Sequence, residues 1–331
     1  MKNKTKKIKI LVTGCAGFIG FHVCKYFLQK NCIVLGIDNI NNYYDTKLKN
    51  DRLSILQKFL KFSFYKLDIS NVKKMNFFFK KKSFDYVVHL AAQAGVRFSI
   101  YNPDIYFKSN LDGFFNVLNL SHKKKVKHFI FASSSSVYGD QKKFPLKETY
   151  RTDFPKSFYA ATKKSNEILA YSYSAIYKMR NTGLRFFTLY GPFGRPDMAI
   201  YKFTNSILNN KKIELFNKGN HFRDFTHIST ILPLIYKLIT KPSKEKIPFN
   251  MFNIGSGKSE KLINFIKLIE LNLSKKSKIK KMPIQRGDVY KTHSSIKYIK
   301  NYLYEKKNSV ITSLPDGIKD YVDWFKVYYS K

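Results

Sequence analysis

Thr13-Gly14-Cys15-Ala16-Gly17-Phe18-Ile19-Gly20 follows directly on the apolar run Ile8 to Thr13. Its glycines are spaced three and three, between a stretch that reads as a strand and one that reads as a helix. Small residues in such a turn let the backbone approach a diphosphate, and the helix N-terminus behind it supplies amide donors and a favourable dipole. Glycine turns also serve as plain strand-to-helix connections, so the context decides. Eighteen residues after Gly20 a second apolar run ends in Asp38. A carboxylate at that strand tip accepts hydrogen bonds from an adenosine ribose and repels a 2′-phosphate, which favours NAD over NADP.

Outward from this motif, apolar runs bounded by turn residues alternate with segments of helical period, as βαβ units do. Strands are expected at Ile8 to Thr13, Ile33 to Asp38, Phe62 to Asp68, Tyr86 to Ala91, His128 to Ser133 and Gly183 to Leu189. Helices are expected to begin near Gly17, Leu48, Asn71, Pro103 and Tyr159. The fold class is α/β: a Rossmann doubly wound parallel sheet over residues 8–190, and a smaller C-terminal α/β cap over 191–328, with some chain crossing back to the sheet. In the second half strand signals thin and helices such as Met198 to Leu208, Ile231 to Ile239 and Leu262 to Leu271 take over. A cap of this kind covers the C-terminal edge of the sheet, where open α/β folds bind ligands. Asp68 and Ile69 after strand three, and Leu90, Ala91 and Ala92 after strand four, fall at the edge where adenine and ribose would lie. Gly14, Gly17, Phe18, Ile19, Gly20, Asp38 and Asn39 complete the expected cofactor contacts.

Composition narrows the class. The 331 residues carry 61 Lys and Arg against 22 Asp and Glu, a formal charge of +39. The lysines are scattered through the chain without an RNA-binding or helix-turn-helix signature, so no nucleic-acid partner is expected. Cys15, Cys24 and Cys32 match no zinc spacing, and no metal is expected. The basic opening leads straight into the glycine motif without a long apolar run, so the expected location is the cytoplasm, without a membrane span.

Tyr159 and Lys163 stand four residues apart at the start of a helical stretch and project from one face of it. A phenol near its ordinary pKa of about 10 is a poor base at neutral pH, and an adjacent ammonium favours the phenolate. The run Ser133-Ser134-Ser135-Ser136 follows strand five at the same sheet edge and supplies hydroxyls. With 23 tyrosines in the chain the Tyr/Lys pair means little alone. Glycine turn, strand-two acid, serine loop and Tyr/Lys helix in that order carry the inference.

With those features in place, the chain from Ile8 to about Trp324 resembles the extended short-chain dehydrogenase/reductases, the sugar-nucleotide epimerase and dehydratase family. Four runs are similar to UDP-glucuronate 4-epimerases: Asp38 to Asp45, His89 to Arg97, Ser157 to Lys163, and Tyr190 to Met198, the last the most specific. The resemblance implies an isomerase that holds NAD, takes a UDP-sugar and forms a homodimer. It implies that Ser134 polarises the sugar 4-OH, that Tyr159 is base and acid, and that Lys163 tunes Tyr159 and holds the nicotinamide ribose. It further implies Phe186 and Asn110 at the cofactor, Thr188 near the sugar or its diphosphate, and Arg223 and Asp288 at diphosphate and uridine ribose. A substrate carboxylate needs cations and hydroxyls, for which Arg195 with Ser135 and Ser136 is the first expectation and Arg97 the second.

The same family contains dehydratases and decarboxylases, which place acids before the Val-Tyr-Gly that closes the serine loop. Here Ser135 and Ser136 precede Val137-Tyr138-Gly139, which favours epimerisation. Neutral UDP-sugars remain alternative substrates. A chemically silent NAD-binding sensor would be expected to lose the Tyr/Lys pair. Two stretches depart from the family: His227-Ile228-Ser229-Thr230, where an aromatic and two acids are usual, and Arg286, where proline is. Ser229 is expected to cap the following helix.

Overall fold

The computed structural model describes residues 7–284, 288–304 and 311–329. In chain order the elements are β1 (Lys9–Thr13), α1 (Phe18–Gln29), β2 (Ile33–Asp38), α2 (Thr46–Gln57), β3 (Phe62–Lys66), α3 (Val72–Lys81), β4 (Tyr86–His89), α4 (Phe98–Tyr101), α5 (Pro103–Tyr106), a π-helical stretch (Phe107–Asp112), α6 (Gly113–Lys123) and β5 (His128–Ser134). After a 3-10 turn (Ser135–Tyr138) come α7 (Phe158–Tyr177), β6 (Asn181–Phe186), β7 (Thr188–Tyr190), α8 (Ala199–Leu208) and β8 (Lys212–Leu215). The remainder is β9 (Phe222–Arg223), β10 (Phe225–His227), α9 (Ile228–Ile239), β11 (Phe249–Ile254), β12 (Glu260–Lys261), α10 (Leu262–Leu273), β13 (Lys278–Lys281), α11 (Lys297–Leu303) and α12 (Leu314–Tyr328).

The main sheet has seven strands in the order β11-β6-β5-β4-β1-β2-β3, with β1 parallel to both β2 and β4. That order reverses direction at β1, the doubly wound pattern in which ligands bind beyond the carboxyl ends of the strands. The expected strands are present, with two differences. Gly183 to Leu189 divides at Phe187 into β6 and β7, because Phe187 donates its amide to Ile254 outside the ladder that β7 makes with β10. The seventh strand, β11, was not expected: Asn250 and Asn253 interrupt its apolar run, and both are buried.

By contacts the chain divides into two units: residues 1–133, 157–184 and 235–251, and residues 134–156, 185–234 and 252–331. The first buries a core of Leu11, Ile37, Val87, Phe114, Phe129 and Phe131 with Met75 and Phe78 of α3. Helix α1 buries Phe21, Cys24, Phe27 and Leu28, one stripe at helical spacing. The second unit has its own core, in which Tyr190, Phe225 and Phe265 meet Ile318, Tyr321 and Phe325 of α12. Side chains start several helices: Asp45 accepts from the Lys47 amide, Asn71 from Lys74, and Ser157 from Ala160 at the head of α7. No described helix is long and apolar enough to cross a membrane.

Two buried histidines brace the first unit. His128 Nδ1 lies 3.1 Å from the Ile239 carbonyl, to which it donates, and its Nε2 lies 2.8 Å from Thr182 Oγ1. Burial lowers its pKa to about 4 and that of His89 to about 3. Both folded values lie below the ordinary 6.5, so the folded state binds fewer protons than the unfolded chain in that window. Stability is therefore full above pH 6.5 and drains as the pH falls toward 4, by up to about 1.4 kcal/mol per pH unit for each site. Melting temperatures followed from pH 7 to pH 4.5 should fall, and His128→Asn should give a shallower fall than the parent; identical slopes would remove His128 from the acid response.

Candidate active site

In the first unit the turn after β1 is pinned on three sides. Gly14 and Cys15 both donate their amides to the Ile37 carbonyl, Gly17 donates to the Gly14 carbonyl at 3.0 Å, and Ala16 donates to Asp38 Oδ2 at 3.1 Å. Gly14 has φ +74°, and a Cβ there would come within 2.7 Å of the Ala91 amide; a Cβ on Gly20 would overlap the Gly14 carbonyl. Only glycine permits this closeness. Helix α1 begins at the turn with Gly17 as its cap, no side-chain acceptor on that cap and no acid in its first turn. Its leading end thus suits a diphosphate.

Asp38 is buried at the tip of β2, and its Oδ1 accepts from the Ile40 amide at 2.9 Å. Each carboxylate oxygen keeps a lone-pair direction for a ribose hydroxyl. Asn39 donates to Asp68 Oδ2, and Ser70 donates to Asp68 Oδ1 through amide and hydroxyl. Burial alone would raise the Asp68 pKa, but these hydrogen bonds hold it below the ordinary value. The Leu90 and Ala91 amides are taken by Thr13, whose hydroxyl also meets His89 Nδ1 at 2.9 Å. Ile69 is buried, while Ala92 and Ile19 are half-buried. These residues fit a dinucleotide with free ribose hydroxyls.

The face of α7 carries the reactive pair. Lys163 is 3 % exposed and donates to the Ala132 carbonyl at 2.9 Å; burial lowers its pKa to about 8. Its ammonium lies 6.0 Å from the Tyr159 ring centroid. Tyr159 is half-buried and its amide donates to Ser99 Oγ at 3.1 Å. One turn beyond Lys163, Glu167 accepts from Ser133 Oγ at 2.6 Å. Glu167 escaped the sequence reading, although Tyr159, Lys163 and Glu167 at intervals of four lie on one helical stripe. Asn110, in the π-helical stretch, spends its side chain on Gln93 and Thr162. Arg97 is exposed at the head of α4.

In the second unit Ser134 accepts from the Ser136 amide and donates to Ser136 Oγ, both at 3.2 Å, which curls the loop into the 3-10 turn. Beneath it Arg185 donates to Tyr138 Oη at 3.0 Å, Tyr138 donates to Asn253 Oδ1 at 2.7 Å, and Glu148 accepts from the Asn253 amide. Phe186 is buried and Thr188 half-buried. Arg195 makes a bidentate pair with Asp197, both contacts 2.9 Å. Arg223 donates to the carbonyls of Phe222 and Tyr290.

Asp224 also escaped notice as a functional anchor. It is fully buried and accepts from Thr226, from the amide and hydroxyl of Ser256, from Gly257, and from the amide and hydroxyl of Ser294. Asp288 is half-buried, and Arg286 and Gly287 lie outside the described residues. At the His227 departure, Ser229 sits inside the first turn of α9 instead of capping it; its hydroxyl meets His227 Nδ1 at 2.8 Å and Thr312 Oγ1 at 2.7 Å. Thr230 accepts from the Thr312 amide. Hydroxyls thus make the polar contacts at the positions where acids are usual.

Residues 10–255 match the model of the NAD dependent epimerase/dehydratase family. UDP-glucuronate 4-epimerase 4 of Arabidopsis thaliana is 41 % identical over 338 aligned residues, covering 98 % of this chain and 76 % of that protein. The crystal structure of UDP-glucuronic acid 4-epimerase from Bacillus cereus, in complex with UDP-glucuronic acid and NAD, superposes with a TM-score of 0.90 at 30 % identity, covering 97 % of this chain and all of that one. The UDP-glucose 4-epimerase of Thermotoga maritima, solved with UDP-glucose, gives 0.87 at 28 % identity over 97 % of this chain and 100 % of that one. Glycine turn, Tyr/Lys helix and these matches agree: this is an NAD-dependent enzyme of the epimerase type, and the chain belongs to the NAD dependent epimerase/dehydratase family.

Proposed function

We propose that the chain inverts C4 of a UDP-sugar and that this sugar is UDP-glucuronate, giving UDP-galacturonate. The observation that carries the reading is the buried ammonium of Lys163, braced on the Ala132 carbonyl and one helical turn from Tyr159, in a chain whose serine loop has no carboxyl group. NAD, when bound, takes the C4 hydride and returns it. Tyr159 takes the proton of the 4-OH, and Lys163 favours its phenolate while meeting the nicotinamide ribose. Ser134 holds O4. The 4-keto sugar then turns over, and Tyr159 returns the proton to O4 on the inverted carbon. With Ser135 and Ser136 where an acid would be needed near C5, elimination and decarboxylation lack their base. Phe186 flanks the nicotinamide, Thr188 faces the sugar or diphosphate, and Arg223 and Asp288 take the nucleotide.

For the substrate carboxylate we assign Arg195 with Ser135 and Ser136, and Arg97 as the alternative cation. A second reading, a 4-epimerase of neutral UDP-sugars, is favoured by one observation: the guanidinium of Arg195 already meets Asp197 bidentately. A homodimer in the cytoplasm completes the proposal. Helices α6 and α7 expose Phe115, Ile168 and Tyr171, large apolar side chains suited to a second copy.

Tyr159→Phe removes the proton carrier of both half-reactions, so turnover should fall by about a hundredfold or more with UDP-sugar binding little changed. Near-normal turnover would exclude Tyr159 from the chemistry. The substrate is decided by comparing wild type and Arg195→Ala on UDP-glucuronate and UDP-glucose. Stranding the carboxylate should cost about 2 kcal/mol or more, roughly thirtyfold in activity on UDP-glucuronate, without the same loss on UDP-glucose. Equal losses would make Arg195 a loop brace, and a wild type that prefers UDP-glucose would establish the neutral-sugar reading. Light scattering should give twice the chain mass, and Ile168→Lys with Tyr171→Lys should halve it; a monomeric parent would end the dimer proposal.

A further inference from the structure

Helix α2 holds two buried cations: Arg52 is 0 % and Lys49 5 % exposed. Both reach back to the segment that follows Asp38. Lys49 Nζ donates to the Asn41 carbonyl at 2.7 Å and to its side-chain oxygen at 2.6 Å. The Tyr44 ring lies close to both, 4.8 Å from the Lys49 ammonium and 5.6 Å from the Arg52 guanidinium carbon. Arg52 Nη1 spends its two hydrogens on separate groups, the Tyr44 phenol oxygen at 2.7 Å and the Ala16 carbonyl at 2.7 Å. The second of these is part of the glycine turn.

That contact completes the turn. The peptide joining Ala16 to Gly17 is fixed at its N–H by the Gly14 carbonyl and at its oxygen by Arg52, while the preceding N–H, that of Ala16, is fixed by Asp38. A turn that leads into the helix end meant for a diphosphate gains affinity when its peptides are set beforehand, because no ordering is left to be done on binding. We propose that Arg52 is a cofactor-positioning residue: through the Ala16 carbonyl it locks the glycine turn in the form that retains NAD, with Tyr44 fixing the rotation of its guanidinium. The proposal rests on the reading of that turn as the dinucleotide site. Retention matters to this reaction, since cofactor lost between the two half-reactions strands the 4-keto sugar.

The experiment uses the purified full chain and reads NAD bound per chain, the NAD dissociation rate after dilution, and UDP affinity by calorimetry. Arg52→Met should speed NAD loss by about tenfold or more, as removal of a hydrogen bond from a charged donor implies, with UDP affinity within about twofold of the parent. Arg52→Lys should restore part of the retention. Tyr44→Phe keeps the ring, removes only the phenol oxygen, and should speed NAD loss by a few-fold; it decides the matter if Arg52→Met does not fold. Parental NAD retention in Tyr44→Phe and in a folded Arg52→Met would overturn the proposal, and so would an equal loss of NAD and UDP binding, which marks general damage. Asp38→Ala separates the two layers. If it alone loses NAD, the role of Arg52 fails and the turn keeps its reading; if Arg52→Met, Tyr44→Phe and Asp38→Ala all retain NAD, both fail.

Discussion

Everything reactive in the first unit hangs on how α7 is held to the end of β5. Two adjacent residues of the strand take two side chains one turn apart on the helix: the Ala132 carbonyl accepts from Lys163 and Ser133 Oγ donates to Glu167. A charged ammonium buried to this degree is costly unless its hydrogen bonds are met, and here the cost appears as a pKa brought down to about 8. The same burial keeps the charge unscreened beside Tyr159, where it favours the phenolate. Placing the cation deep, and paying for it with a strand carbonyl, is therefore what makes a tyrosine usable as a base. The chain then continues directly from Ser133 into Ser134 and the serine loop.

The second unit uses the opposite device, a buried anion. Asp224 gathers six hydrogen bonds from four residues, Thr226, Ser256, Gly257 and Ser294, that come from three separate stretches of chain. A carboxylate sealed from water needs its lone pairs filled, and these donors fill them. In return it fixes the strand that carries Arg223, and Thr292 holds the Asp224 amide at 3.0 Å. Loss of the carboxyl would leave amides and hydroxyls of three segments without an acceptor, so the position tolerates little change.

What the sequence revealed divides along the same line. Glycine turn, Asp38, serine loop and the Tyr159/Lys163 pair are local patterns, each legible from spacing within a single strand-to-helix unit. Glu167 was within reach, since it continues the interval of four from Tyr159. Arg52 and Lys49 were not: on a helix rich in Lys, Asn, Asp and Arg they look like solvent-facing residues, and only the fold turns them inward. Asp224 gave no local signal, because most of its donors lie 32 to 70 residues away. Strand β11 was missed for a related reason. Its Asn253 is buried because it answers Tyr138, Leu146 and Ser295, partners that no periodicity announces.

The excess of positive charge acquires a different meaning at these buried positions. With 61 basic and 22 acidic residues, most cations have no acid to meet, and exposed pairs such as Lys47 with Asp51 are worth little in any case. The buried cations draw on oxygens that every sequence supplies. Lys49 takes the Asn41 carbonyl, Arg52 the Ala16 carbonyl, Lys163 the Ala132 carbonyl, and Arg185 the Glu148 carbonyl. Backbone carbonyls do not titrate, so these contacts do not depend on ionising a partner. They also bind a cation to a particular point of the main chain, which a flexible carboxylate side chain would not. In a chain so poor in acids, cations fastened to the backbone set loops in each unit: Lys49 the segment after Asp38, Arg52 the glycine turn and Lys163 the end of β5 in the first, and Arg185 the stretch at Glu148 in the second.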